Sequence, residues 1–407
     1  MIKKYLAFIM TAALSLSMVG CAGSFLTSDE SSEQETTEYN ESDPAGSLSD
    51  AAKNHADDGK DIIGISMPAI HLPRWNWDGA LLKTKFEERG YTVNLKFADN
   101  TIDKQQTDIH ELINEGVDIL LIAAVKGDAL AGVLEEAKAA DIPVIAYDRI
   151  IESDSVKYYV SFDNDMVGAL QGEYIRDKLD LDHASHRTFN IEIVSGDSND
   201  KNADGYYNGA MKILKPYLDS GVLKVLSGEV GYHETETFQW STDRAEERMT
   251  GIITSYYPRG VKLDAVLCAN DTAALGVARA IKKNYAGNNK VLLTGQDGDV
   301  ENLKNIMDGL QSQTSYKCLP NETKVMVDVT TAFMNKDPID EKLIEKYDWD
   351  FEVVYADDRY SNGTDYMKSF LLTPLSITRD NLISELVDKG YYRQKSDGTF
   401  KMILKNE

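Results

Sequence analysis

From residue 61 onward the chain alternates short continuous apolar runs with amphipathic stretches, and this alternation constrains its fold more than any single motif. The apolar runs include Ile62–Met67, Val117–Val125, Pro143–Tyr147, Phe189–Val194, Ala265–Cys268 and Val291–Thr294. They are rich in Val, Ile and Leu and do not alternate with polar residues. Such runs mark strands covered on both faces, as in parallel sheets. Between them lie helical stretches. One runs from Trp77 to Arg89 and stops at Gly90, and another runs from Asp103 to Glu115 and stops at Gly116. A Gly just past a helix is a C-cap signal. Strands alternating with helices imply βαβ units with right-handed crossovers. There are enough of them for two doubly wound sheets of an α/β protein. The run 342–363 breaks the rhythm and is expected to be a loop-rich insertion before a last strand near 369–372.

The N-terminus has a different character. Lys3 and Lys4 precede an apolar stretch from Leu6 to Val19 that ends at Met18-Val19-Gly20-Cys21. The stretch is shorter than the ~20 residues a membrane span needs. Its Gly-Cys ending resembles a bacterial lipobox, which makes residues 1–21 a lipoprotein signal peptide and Cys21 the lipidated first residue. Residues 22–58 carry ten acids against one Lys and few large apolar side chains. Such a segment cannot bury enough apolar surface to offset its ordering entropy, and is expected to be a disordered tether. A lipid followed by a solvated spacer would hold the folded part just off a membrane, outside the cytoplasm. The remaining residues, about 59 to 407, are enough for two lobes.

Charge and cysteines exclude several classes. Loss of Lys3 and Lys4 with the signal segment takes the formal charge from −24 to −26. Phosphate would repel so acidic a chain, so nucleic acid is not an expected partner, and neutral or cationic solutes are. The three Cys, at 21, 268 and 318, show no Cys-x-x-Cys or Cys/His spacing, so no zinc site is expected. Cys268 reads as a small core residue. A Cys268–Cys318 disulfide cannot be read from sequence. Dinucleotide, Walker and His-Glu-x-x-His motifs are absent, and no cofactor is expected. Asp200-Lys-Asn202-Ala-Asp204-Gly205 matches the first half of a calcium loop, but Met211 stands where the bidentate Glu belongs. It reads better as a strand-to-helix loop.

In open α/β sheets ligands bind beyond the carboxyl ends of the strands. The residues that follow the apolar runs are His71, Arg74 and Trp75; Asp148 and Arg149; Asp200 and Asn202; Asn270 and Asp271; Gln296 and Asp297; and Lys317. Trp240 stands in a less regular stretch before a helix. Singly, each has a bland reading. Asp148-Arg149 would be a surface ion pair worth ~0–1 kcal/mol, and a lone Trp is more often core than platform. Jointly they suit a monosaccharide. Its vicinal hydroxyls match the forks of Asp, Arg and Asn, and its C–H face matches an indole.

The chain resembles the type I periplasmic sugar-binding proteins of ABC importers, within them the xylose-binding and multiple-sugar-binding (virulence sugar sensor) branch. The resemblance runs from about Ile62 to Tyr392. It is carried by SMPAIHLPRWNWDG (66–79), VIAYDRII (144–151), VSFDNDMVGALQ (160–171), DKNA (200–203), GAMKILKPYLDSG (209–221), CAND (268–271), GQD (295–297) and SYK (315–317). It implies two lobes joined by three crossovers with sugar between them. Residues 59–163 and 318–341 would form the N-terminal lobe, 164–317 and 342–392 the C-terminal lobe, and 393–407 a tail. It further implies sugar contacts from Arg74, Asp148, Arg149, Asn202, Asn270, Asp297 and Lys317, and stacking from Trp75 and Trp240. Lys201 departs from the Asn usual before Asn202. The implied function is capture of an aldopentose or aldohexose for the permease subunits of an ABC importer, by a monomer anchored to the membrane only through its lipid. A sensor that presents bound sugar to a chemoreceptor or kinase is the alternative. A sugar-responsive repressor shares the lobes but would need a basic DNA-binding headpiece. A glycosidase would need a pair of catalytic carboxylates that no motif supports.

Overall fold

The computed structural model describes residues 59–184 and 186–403. The expected signal segment, Cys21 and the acidic tether lie outside the described residues, as do residues 404–407. The first lobe begins with β1 (Ile62–Met67), α1 (Pro73–Glu88), β2 (Thr92–Phe97), α2 (Ile102–Asn114), β3 (Ile119–Ile122), α3 (Ala131–Ala139), β4 (Val144–Tyr147) and β5 (Val156–Phe162). These strands are parallel, in the order β5-β4-β3-β1-β2. Alternate residues of one strand enter two separate cores. Leu121 and Ile145 pack with Ile63 and Ile65 on one face, and Leu120, Ile122, Val144 and Ala146 on the other. That is why these strands are apolar without alternation. β2 was missed in sequence because TVNLKF alternates polar and apolar residues at the sheet edge.

The second lobe runs through α4 (Asn164–Leu179), β6 (Phe189–Val194), α5 (Asn202–Asp219), β7 (Leu223–Lys224), α6 (Thr242–Tyr256), β8 (Ala265–Cys268), α7 (Asp271–Asn284), β9 (Leu292–Leu293), β10 (Gln296–Asp297), α8 (Val300–Asp308) and β11 (Gln313–Tyr316). Its sheet has parallel strands in the order β7-β6-β8-β9, continued by β10 and β11. Ser312 N–H donates to Leu293 O at 2.9 Å and Ser315 N–H to Gly295 O at 2.9 Å, which joins the two pieces. Glycines let α4 and α5 touch backbone to backbone. A Cβ on Gly168 would lie 1.8 Å from Tyr206 O, and one on Gly209 would lie 2.0 Å from Asp165 O.

The chain then returns to the first lobe as α9 (Leu319–Met334), α10 (Lys342–Tyr347), β12 (Val353–Ala356) and β13 (Lys368–Leu372). β13 adds parallel to β5 and β12 adds antiparallel to β13, completing a seven-stranded sheet. β14 (Leu375–Thr378) goes back to pair antiparallel with β11, and β15 (Tyr392–Gln394) and β16 (Phe400–Met402) form a closing hairpin. The chain thus passes between the lobes three times, after Phe162, after Tyr316 and after Leu372.

Three sequence expectations change here. The run 342–363 is not a loop-rich insertion, since it holds a short helix and an edge strand. Within 342–392, residues 353–372 belong to the first lobe's sheet, not to the C-terminal lobe, because β13 takes its backbone partners from β5. Residues 393–403 are not a separate tail, because Phe400 and Met402 pack with Leu382, Leu386 and Tyr392. Cys268 and Cys318 are buried and do not bond to each other. No helix among the described residues is long and apolar enough to cross a membrane.

Candidate functional site

The carboxyl ends of β1, β4, β6, β8, β10 and β11 converge where the lobes face each other. Each contributes through the loop or helix start that follows it. Pro73 begins α1, and its fixed φ suits the first helical turn. That turn carries Arg74 and Trp75. Asp148 and Arg149 follow β4, with Asp148 in the left-handed region at φ 55°. Asn270 caps α7, its Oδ1 accepting from Ala273 N–H at 2.9 Å, which leaves its amide nitrogen as the donor a ligand could use. Asp297 closes β10 at φ 101°, and Trp240 sits at φ 55° in the turn before α6. Backbone held in such conformations by its surroundings clusters at ligand clamps. Gly196 makes room for Trp240, since a Cβ there would lie 2.2 Å from the indole ring.

Together these residues line a cavity between the lobes. Eight of the nine expected site residues reach it: Arg74, Trp75, Asp148, Arg149, Trp240, Asn270, Asp297 and Lys317. Asn202 does not line it. Its amide donates to Asp148 O at 2.6 Å, and its Oδ1 accepts from Tyr159 Oη–H at 3.3 Å. It therefore props up the turn that presents Asp148. The calcium-like loop spends its oxygens in the same way. Asp200 Oδ2 lies 3.0 Å from Arg149 Nε, and its Oδ1 accepts from Asn202 N–H at 3.0 Å.

Arg74 is the hub. Its guanidinium donates to Asp148, to Asp297 Oδ1 at 2.8 Å, to Glu322 Oε2 at 2.9 Å and to Asp78 Oδ2 at 3.2 Å. The bond to Asp297 crosses between lobes. Lys317 Nζ lies 3.1 Å from Asp148 Oδ2 and 3.5 Å from Asp297 Oδ1. Arg149 donates to Ala124 O at 2.9 Å, and the guanidinium carbons of Arg74 and Arg149 each lie 5.0 Å from the centre of the Trp75 ring. Trp75 is thus held between cations as well as offered to a ligand.

Burial acts on all these groups. It pushes the Asp148 carboxyl up, but Arg74 and Lys317 more than offset it and hold the group below its ordinary value. Glu322 is pushed well up by burial and by the Asp148 charge, and Asp78 rises to about 6, again chiefly through burial. In the lining itself Arg74, Arg149 and Lys317 face Asp148, Asp200 and Asp297, with Asp78 and Glu322 beneath Arg74. The cavity is near charge balance and rich in forks, which suits a neutral polyhydroxylated ligand. Trp240 Nε1 and Gln296 Oε1 are buried with no protein partner, the kind of vacancy a ligand hydroxyl or a water fills.

Sequence reasoning missed Tyr206 and Thr272 as lining residues, and it placed Asp200 and Gln296 at strand ends without counting them among the sugar contacts. Tyr206 lies one turn into α5 after Asn202, and helical spacing alone could have found it. Asp78 lies four residues after Arg74 and was likewise legible as an i,i+4 pair. Glu322 comes from α9 on the far side of the chain, and no local signal points to it.

Residues 63–338 match the model of the periplasmic binding protein domain. The chain is 35% identical over 339 residues to the multiple sugar-binding periplasmic protein of Azospirillum brasilense, covering 82% of this chain and 90% of that one. It is 30% identical to the D-xylose-binding periplasmic protein of Escherichia coli, over 82% and 91% of the two chains. Among solved structures, an ABC transporter solute-binding protein of Clostridium phytofermentans with bound β-D-glucose is 42% identical. It superposes with a TM-score of 0.76, over 83% of this chain and 99% of that one. The two-lobed α/β architecture, the cavity between the lobes and these matches agree: the chain belongs to the periplasmic binding protein family, a family of solute receptors and not of enzymes.

Proposed function

We propose that this protein captures a monosaccharide, an aldopentose or aldohexose, between its lobes and delivers it to an ABC importer from a lipid-anchored position outside the cytoplasm. The observation that carries the reading is the cavity itself. Charged forks from both lobes and two indoles converge there with near-balanced charge. Relatives that match over most of their length are named for xylose and for multiple sugars, and a structural neighbour holds β-D-glucose. Arg74, Asp148, Arg149, Asn270, Asp297 and Lys317 would bond the hydroxyls. Trp240 would face the C–H surface, and Trp75 would contribute a ring edge beside its two arginines. Burying so many polar groups also supports discrimination, because a sugar lacking one hydroxyl leaves its partner unpaired.

A thermal-shift panel of xylose, arabinose, glucose, galactose and ribose on the full chain tests this. The right sugar at a hundred times its dissociation constant adds about 2.7 kcal/mol of stability. No shift with any aldose, in protein shown to be folded by circular dichroism, would overturn the reading.

A further inference from the structure

A second, outer groove adjoins the first cavity and shares four lining residues with it. Leu72, Pro73, Trp240 and Thr272 line both spaces, so they form a shared doorway. Both lobes wall the outer groove. Asn100 comes from the first lobe, and Gln239, Thr242 and Leu275 from the second. Its rim is built from residues held in the left-handed region: Asp99 at φ 50°, Asn100 at φ 59°, Gln239 at φ 57° and Trp240 at φ 55°. Asp and Asn adopt this region readily, but Gln239 and Trp240 do not, so their surroundings impose the conformation there.

The outer groove carries amide, hydroxyl and carboxylate side chains from both lobes beside the inner cavity. We infer that the outer groove is a second subsite. In it the glycosidic substituent of a larger ligand rests, the second sugar of a neutral disaccharide, while the first sugar fills the inner cavity. The chemistry of the walls selects the substituent. Asn100, Gln239 and Thr242 offer amide and hydroxyl groups that match sugar hydroxyls. Asp99, Asp243, Asp299 and Glu301 bring carboxyl groups, and no Lys or Arg is among the described residues that line the groove, so an anionic substituent is repelled. Trp240 spans the doorway, where one indole serves both rings.

This inference rests on the monosaccharide reading above, and the experiment separates the two. Calorimetry on the full chain compares glucose and galactose with cellobiose, maltose, gentiobiose, lactose and melibiose, the linkage being open. The expected result is a disaccharide bound within a hundredfold of its parent monosaccharide. Leu275→Trp and Asp243→Trp fill the groove without touching the inner cavity. They are expected to weaken that disaccharide tenfold or more and to leave the monosaccharide unchanged. The second subsite is overturned if every disaccharide binds more than a hundredfold weaker than its parent. It is equally overturned if both groove variants leave the disaccharide untouched or weaken both ligands alike. Binding of neither glucose, galactose nor any disaccharide would instead remove the hexose reading, and the subsite with it.

Discussion

Replacement of Arg149 tests the site most directly, because this side chain has three jobs at once. It is 5% exposed, donates to Ala124 O at 2.9 Å, faces Asp200 Oδ2 at 3.0 Å and lies 5.0 Å from the Trp75 ring centre. Arg149→Ala removes a charge-assisted fork from the ligand, which costs about 2–4 kcal/mol of binding. At about 1.4 kcal/mol per decade, this is roughly a thirtyfold to thousandfold loss of affinity. The same change strands the buried Asp200 carboxylate. Breaking a buried pair in this way costs about 3–5 kcal/mol of folding stability unless the acid takes up a proton. Burial already pushes the Asp200 carboxyl above its ordinary value, and without Arg149 it rises further. A carboxyl raised in the folded state gives stability that is full below its unfolded value and is lost as pH rises through the folded one. The alanine variant is therefore expected to melt lower than wild type at pH 7 and to recover ground as the pH falls toward 5. Arg149→Lys keeps the positive charge but not the planar fork, so it should fold better than the alanine variant and still lose more than tenfold in affinity. Calorimetry with the strongest sugar from the thermal-shift panel reads both variants. Unchanged affinity in the lysine variant would show that the fork does not touch sugar, and the argument from forks and hydroxyls would fail at its central residue.

Three further outcomes are expected. Asp299, beside the outer groove, is pushed up to about 7 by burial and by the Asp297 charge. Its contribution to stability is full below about pH 4 and is lost as the pH rises through 7, so Asp299→Asn should flatten the melting profile between pH 5 and 8. A profile as steep as wild type would assign that titration to another group. Sugar should close the lobes, because Arg74, Asp148 and Arg149 come from the first lobe while Asn270 and Asp297 come from the second. Small-angle scattering should show the radius of gyration fall with saturating sugar, and an unchanged radius with binding confirmed would point to a preclosed pocket. Cys21→Ser should leave the protein unprocessed or released from membranes, and mass spectrometry showing an unmodified Cys21 in the mature wild-type chain would refute lipid anchoring.

The sequence by itself determined the layered α/β architecture, because strands buried on both faces must be continuously apolar and those runs are local. Ile62–Met67, Pro143–Tyr147, Phe189–Val194 and Ala265–Cys268 were legible for that reason, and so were the polar residues just beyond them. Arg74, Asp148, Arg149, Asp200 and Asn270 among them meet at one cavity because doubly wound topology gathers strand ends at a single edge. Edge and late strands were not legible. β2 and β12 are half exposed, so their patterns alternate or blur, and β13 finds its lobe only through backbone pairing with a strand some two hundred residues earlier. Tertiary structure also decided which polar residues face the ligand space. Asn202 stands at a strand end like the others, yet its amide is used up holding the Asp148 turn. Glu322 follows no strand-end rule, yet it lies against the central arginine. Hydrophobic periodicity is a property of neighbouring residues and survives in the chain as written. The partner of a buried charge is a property of distance in space, and for Arg74 only the folding of both lobes decides it.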